Sequence, residues 1–173
     1  MSAPTETRRG FTIVRQLDAP RELVFQAWTD PDHLQWFADT AASRSTSRHP
    51  TTVDLRVGGA WRLQMVESED RSYTTGGVYR EIVAPEKLAF TWGAVDGWPP
   101  IDPASPDEGP IVTVNLKDTG GTTEMTVHVG FPDHFTDDAV RDWLSSGMVD
   151  GWSQTVDRLS PYLSRQNRPA GNR

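Results

Sequence analysis

The chain has 173 residues, no cysteine and a formal net charge of −7. That length fits one domain with a substantial core and is short for two. The acidic balance, with no basic cluster interleaved with aromatics, disfavours nucleic acid as a partner, and the missing cysteines exclude disulfides, thiolate nucleophiles and thiolate zinc sites.

Residues 1–10 are polar with nothing to bury, and 164–173 are similar, so both read as flexible tails around a single domain at 11–163. Phe11, Ile13 and Arg15 alternate with Thr12, Val14 and Gln16 in a first strand, which Asp18, Ala19 and Pro20 end. Pro20 suits the first position of a helix with Leu23, Val24, Ala27 and Trp28 as its apolar stripe. Asp30 as cap and Pro31 as opener predict a second short helix, burying Leu34, Trp36 and Phe37. Residues 38–50 lack periodicity and lead as a loop into a strand around Val53 and Leu55, after which Gly58-Gly59 is a hairpin turn.

Strands follow near 60–66, 74–83, 87–93, 111–117 and 122–131, with turn signals at Pro85-Glu86 and from Asp118 to Gly121. No long helix interrupts them, which predicts an antiparallel meander. Residues 94–110 hold too many prolines for helix or ladder and form a long surface loop; its Trp98 reads equally as a lid residue or as a ring folded onto the outer surface. Val140, Leu144, Met148, Trp152, Val156, Leu159 and Leu163 then recur every three or four residues, one helical face built to lie on the sheet. Gly147 and Gly151 weaken that helix and Pro161 should end or kink it, so a break near Gly147 and a continuous run from Met148 to Ser160 are expected. No apolar run approaches the roughly 18 to 20 residues needed to cross a bilayer, and no hydrophobic signal core opens the chain. The cytosol is the expected compartment, with no membrane partner.

The order of strand, two short helices, antiparallel run and closing helix resembles the α+β helix-grip fold of steroidogenic-acute-regulatory lipid-transfer domains and birch-pollen allergens. The motifs narrow the likeness. Ala-Pro-Arg-Glu-Leu-Val-Phe-Gln-Ala-Trp-Thr-Asp-Pro-Asp-His-Leu from Ala19 to Leu34, Asp54 to Trp61 with its Gly-Gly, and Pro85 to Trp92 are similar to bacterial homologues of the heat shock protein 90 ATPase activator. Gly151-Trp152 with Val156, Arg158 and Leu159 resembles that family's closing helix. The likeness runs from Phe11 to Leu163, departing at the proline-rich loop and Pro161. It implies a curved antiparallel sheet around a long helix, and a cavity between them that holds an apolar or aromatic small molecule. Eukaryotic activators carry a further amino-terminal domain with much of the chaperone contact, which the ten residues before Phe11 cannot supply, so chaperone contact is a weaker expectation than a ligand.

Within that fold Trp61, Leu63 and Met65 face inward from one strand, and Tyr79 and Glu81 project to the same side from the next. Phe90, Trp92, Val112, Val114, Met125, Val127 and Val129 continue the wall, with Trp36, Met148 and Trp152 opposite. The functional reading is an aromatic-lined cavity of several hundred Å3 with Tyr79 and Glu81 as polar anchors; the competing one is a packed core. Glu81 in such a cavity would be a general acid or base, or at a sheet edge would pair with Arg80 or Arg62, and a bulge would flip its facing.

Other chemistry is sparse. Among the histidines, His33 is expected to face solvent, His128 to point away from the apolar face and His134 to lie near the cavity mouth; no pair has metal-ligand spacing, and no cofactor is implied. Ser145-Ser146 reads as helical without a base partner, and the Gly-Gly pairs at Gly58, Gly76 and Gly120 read as strand turns. Three functions follow in order: a domain binding a hydrophobic small molecule without catalysis, a cyclase or aromatase using Glu81 or Tyr79, and a chaperone-associated module. Monomer and homodimer both stay open.

Overall fold

The computed structural model describes residues 3–38, 50–68, 70–94, 104 and 109–166. β1 (Thr5–Thr7) pairs with β2 (Gly10–Leu17), so the first ten residues, expected as a tail, supply an edge strand. Along β2 the residues Phe11, Ile13, Arg15 and Leu17 are buried and Val14 and Gln16 exposed, the alternation a one-sided sheet demands. Pro20 stands one position earlier than expected, as the N-cap of α1 (Arg21–Thr29), and its carbonyl accepts from the Leu23 and Val24 amides. Asp30 then closes one helix and starts the next: its amide donates to Gln26, while its own carbonyl accepts from Leu34. The second element is a 3-10 helix (Leu34–Ala38), whose Trp36 donates its indole proton to the Ala27 carbonyl at 2.8 Å.

The remaining strands are β3 (Thr51–Val53), β4 (Ala60–Ser68), β5 (Arg71–Val83), β6 (Lys87–Thr91), β7 (Gly93–Ala94), β8 (Ile111–Asp118) and β9 (Thr123–Gly130). All pair antiparallel in the order β1-β2-β9-β8-β6-β5-β4-β3, with β7 beside β5. Leu55 lies in the exposed loop after β3 rather than in the strand. Gly58 in that loop and Gly120 and Gly121 between β8 and β9 have φ from +83° to +89°, as turns require. Gly76-Gly77 is no turn. Both lie inside β5, where a Cβ would come within 1.9 Å of the Trp61 carbonyl oxygen and 1.5 Å of that of Thr91, so these glycines let neighbouring backbones close in. Between Tyr79 and Glu81 the register against β6 slips at a β-bulge.

The closing helical stretch is segmented. α2 (Asp137–Leu144) is capped by Thr136, whose hydroxyl accepts from the Ala139 amide. Gly147, at φ +90°, breaks the run and precedes α3 (Met148–Val156). A turn at Asp157-Arg158 separates α3 from α4 (Leu159–Gln166). Of the two expected effects of Pro161 the helix shows the interruption and not the end: Pro161 sits in the first turn of α4, where its missing N–H is tolerated, and the break falls four residues earlier, at the carbonyl Pro161 cannot serve, so the run expected to be continuous from Met148 to Ser160 is divided. The helix therefore runs through Gln166, past residues expected to belong to the tail. Val140, Met148, Trp152, Val156, Leu159 and Leu163 are buried against the sheet in one continuous core.

Candidate functional site

A cleft of about 180 Å3 lies where α3 faces the sheet. Phe37 reaches it from the 3-10 helix, Met65 from β4, Tyr73 and Thr75 from β5, and Trp92 from the link between β6 and β7. The helical side is Ser146, Gly147, Met148, Gly151, Trp152 and Thr155. Gly147, Gly151 and Thr155 recur every four residues, so small side chains share one strip running from the start of α3 along it, beside the buried Met148 and Trp152. A Cβ built on Gly151 meets nothing within 4 Å. None of the lining side chains is charged.

Hydrogen bonding fixes the walls. Trp92 donates its indole proton to Thr75 Oγ1 at 3.0 Å, and that hydroxyl donates onward to the Gly93 carbonyl at 3.2 Å. Thr155 Oγ1 donates to the Gly151 carbonyl at 2.9 Å and Ser146 Oγ to the Trp143 carbonyl at 2.5 Å. Trp152 packs edge-on to Trp92 and Phe37, with centroids 5.4 and 5.6 Å apart. Trp152 is 3 % exposed, and its Nε1 is buried without a hydrogen-bond partner, as are Trp61 Nε1 and the Tyr79 hydroxyl.

Four residues of the predicted wall line this cleft: Met65, Trp92, Met148 and Trp152. The others do not. Trp36, Trp61, Leu63, Tyr79, Phe90, Val112, Val114 and Val127 are each 2 % exposed or less and belong to the packed core. The cause is Phe37, whose ring lies 5.5 Å from Trp61 and 5.6 Å from Trp152 and so occupies the space between them. Trp28 extends the same plug, 6.4 Å from Phe90. The space left is accordingly smaller than the several hundred Å3 expected. Phe37, Tyr73, Thr75, Ser146, Gly147, Gly151 and Thr155 line the cleft beyond the predicted wall; the sequence signal for the helical side is the four-residue spacing of Gly147, Gly151 and Thr155.

Glu81 stands outside. The bulge turns two consecutive residues, Arg80 and Glu81, to solvent, and the Glu81 carboxylate pairs with Lys87 Nζ at 2.9 Å rather than with Arg80 or Arg62. Tyr79 faces inward as expected but does not line the cleft; burial, with a smaller contribution from the Asp54 carboxylate, raises its pKa far above the ordinary tyrosine value. Neither proton-transfer candidate of the cyclase reading reaches the cleft. Trp98 falls outside the described residues. His33 is half-buried rather than solvent-facing, with Nδ1 2.6 Å from the Tyr162 hydroxyl on α4. His128 bonds Thr12 on the outer face, and His134, exposed, lies at a tilt to Phe135 with centroids 5.0 Å apart and is not among the cleft's lining residues. Ser145 and Ser146 lie in the turn between α2 and α3. Among the described residues no three acidic or histidine side chains group to hold a metal, and no helix is long and apolar enough to cross a membrane.

Solved structures share this architecture. A solution structure from Arthrobacter aurescens is 23 % identical, with a TM-score of 0.75 over 97 % of this chain and 92 % of that one. A crystal structure from Mycobacterium smegmatis is 19 % identical, with a TM-score of 0.70 over 94 % and 96 %. One from Nitrosomonas europaea is 22 % identical, with a TM-score of 0.69 over 93 % and 97 %. These likenesses establish the helix-grip fold. No curated protein matches the chain. The model of the family described as activator of Hsp90 ATPase homolog 1-like protein matches residues 18–164, and the chain belongs to that family.

Proposed function

We propose that this domain binds a small, neutral, largely apolar molecule in the cleft between α3 and the sheet. The supporting observation is the cleft's lining: Met65, Trp92, Met148 and Trp152 around a glycine-bearing helix face, with no charge to offset the desolvation of an ionised ligand. Its size sets the scale. An apolar cavity of about 150 Å3 accommodates benzene, so about 180 Å3 suits one ring rather than a lipid or a fused polycycle. Binding ranks ahead of cyclisation because Glu81 and Tyr79 stand away from the cleft. It ranks ahead of chaperone contact because the cleft has a definite ligand chemistry.

Toluene and indole, titrated against labelled protein by NMR, should shift resonances of Trp92, Met148, Gly151 and Trp152. Gly151→Phe, placed where a Cβ has open space, should weaken both by about tenfold or more, roughly 1.4 kcal/mol, while the fold is kept. Saturating probe without a cleft-specific shift would end this reading.

A further inference from the structure

We propose that the preferred ligand of this cleft carries a hydroxyl on its single ring, a phenol-type group that donates to Ser146 or Thr155; this rests on the binding reading above. The argument is a donor and acceptor account of the walls. A serine or threonine hydroxyl has one proton and two lone pairs. The Thr155 proton goes to the Gly151 carbonyl, the Ser146 proton to the Trp143 carbonyl and the Thr75 proton to the Gly93 carbonyl. The Thr75 oxygen also accepts from Trp92. At the helical side, Ser146 and Thr155 therefore retain acceptor capacity, with their own protons already used.

A ligand group that gives a hydrogen bond complements these oxygens. A bare hydrocarbon gives none, and a carboxylate brings acceptors and a charge but no donor. Ser146 is exposed at the cleft mouth while Met65, Met148 and Trp152 are buried. The ring accordingly lies inward against Met and Trp, with its hydroxyl toward the turn between α2 and α3.

Phenol, toluene and benzoate are nearly one size and separate the cases. Phenol is expected to bind about two- to tenfold tighter than toluene, the contribution of one neutral hydrogen bond, although toluene is the more apolar and would win in a cleft selecting by apolarity alone. Benzoate should be the weakest. The double variant Ser146→Ala, Thr155→Val should bring the ratio of phenol to toluene affinity down to about one or below, with an unchanged thermal unfolding profile showing that the fold is kept. Toluene binding as tightly as phenol, or a phenol preference that survives the double variant, would overturn the hydroxyl proposal while leaving the binding reading in place. No binding of any of the three, with Gly151→Phe silent, would overturn both.

Discussion

Tyr79 and Glu81 are two residues apart in one strand and meet opposite surroundings, because the bulge between them inserts a residue and turns the second side chain outward. The Glu81–Lys87 pair is half in water, so Glu81→Gln should change stability by less than about 1 kcal/mol and leave ligand affinity unchanged, as urea unfolding and titration would show. Tyr79 has the reverse problem: its hydroxyl is buried with nothing to bond. Tyr79→Phe should raise stability by about 0.5–1 kcal/mol at neutral pH. Burial, then the Asp54 charge, raises the pKa of the folded state above the ordinary 10.0. As pH passes about 10 the unfolded chain therefore loses this proton while the folded chain keeps it, and stability falls with rising pH. Urea midpoints between about pH 9 and pH 11 should decline more steeply for the natural protein than for Tyr79→Phe; parallel declines would contradict the assignment.

At the scale of elements, the glycine that precedes α3 and the one inside it, four residues apart, answer differently to the same change. Gly147 has φ +90°, a conformation that costs a side chain about 1–2 kcal/mol, so Gly147→Ala should destabilise by about that much. Gly151 lies within the helix with open space around its Cβ position, so Gly151→Ala should stabilise by about 1 kcal/mol. Thermal unfolding of the two variants, with shifts of opposite sign, checks the pair. The elements themselves were legible from the sequence wherever one periodicity governed. The alternation in β2, β8 and β9 gave inward and outward faces directly, and the stripe from Val140 to Leu163 gave the helix face with only Leu144 half-buried. What escaped were features set by neighbouring strands. Gly76-Gly77 is dictated by the Trp61 and Thr91 carbonyls, and the bulge after Tyr79 by the register of β6. The site was less legible than the fold for the same reason: inward-facing aromatics of a wall look identical whether they surround a ligand or Phe37.

Across the whole molecule, helix and sheet are tied by a charged clasp as well as by apolar packing. Arg15, 9 % exposed on the inner face of β2, donates from Nε to Asp157 at 2.8 Å and from its guanidinium to Ser153 at 3.3 Å and the Val14 carbonyl at 2.8 Å. Asp157 lies in the turn between α3 and α4, so the clasp holds the helix where Pro161 interrupts it. Arg15→Ala should cost about 2–3 kcal/mol, through lost packing of the stem as much as the lost pair. Because the apolar face of α3 remains, the loss should appear first as faster amide exchange around Asp157, ahead of global unfolding.

The sheet joins distant parts of the chain, since β2 pairs with β9 and Thr12 contacts His128 across 116 residues. During synthesis at about 5–20 residues per second, that separation amounts to roughly 6–23 s in which β2 has only the three-residue β1 to pair with. A short hairpin alone is marginal in water. The interior of this protein is thus built around a strand that waits for its partner, and the time it waits is set by the ribosome rather than by the speed of collapse.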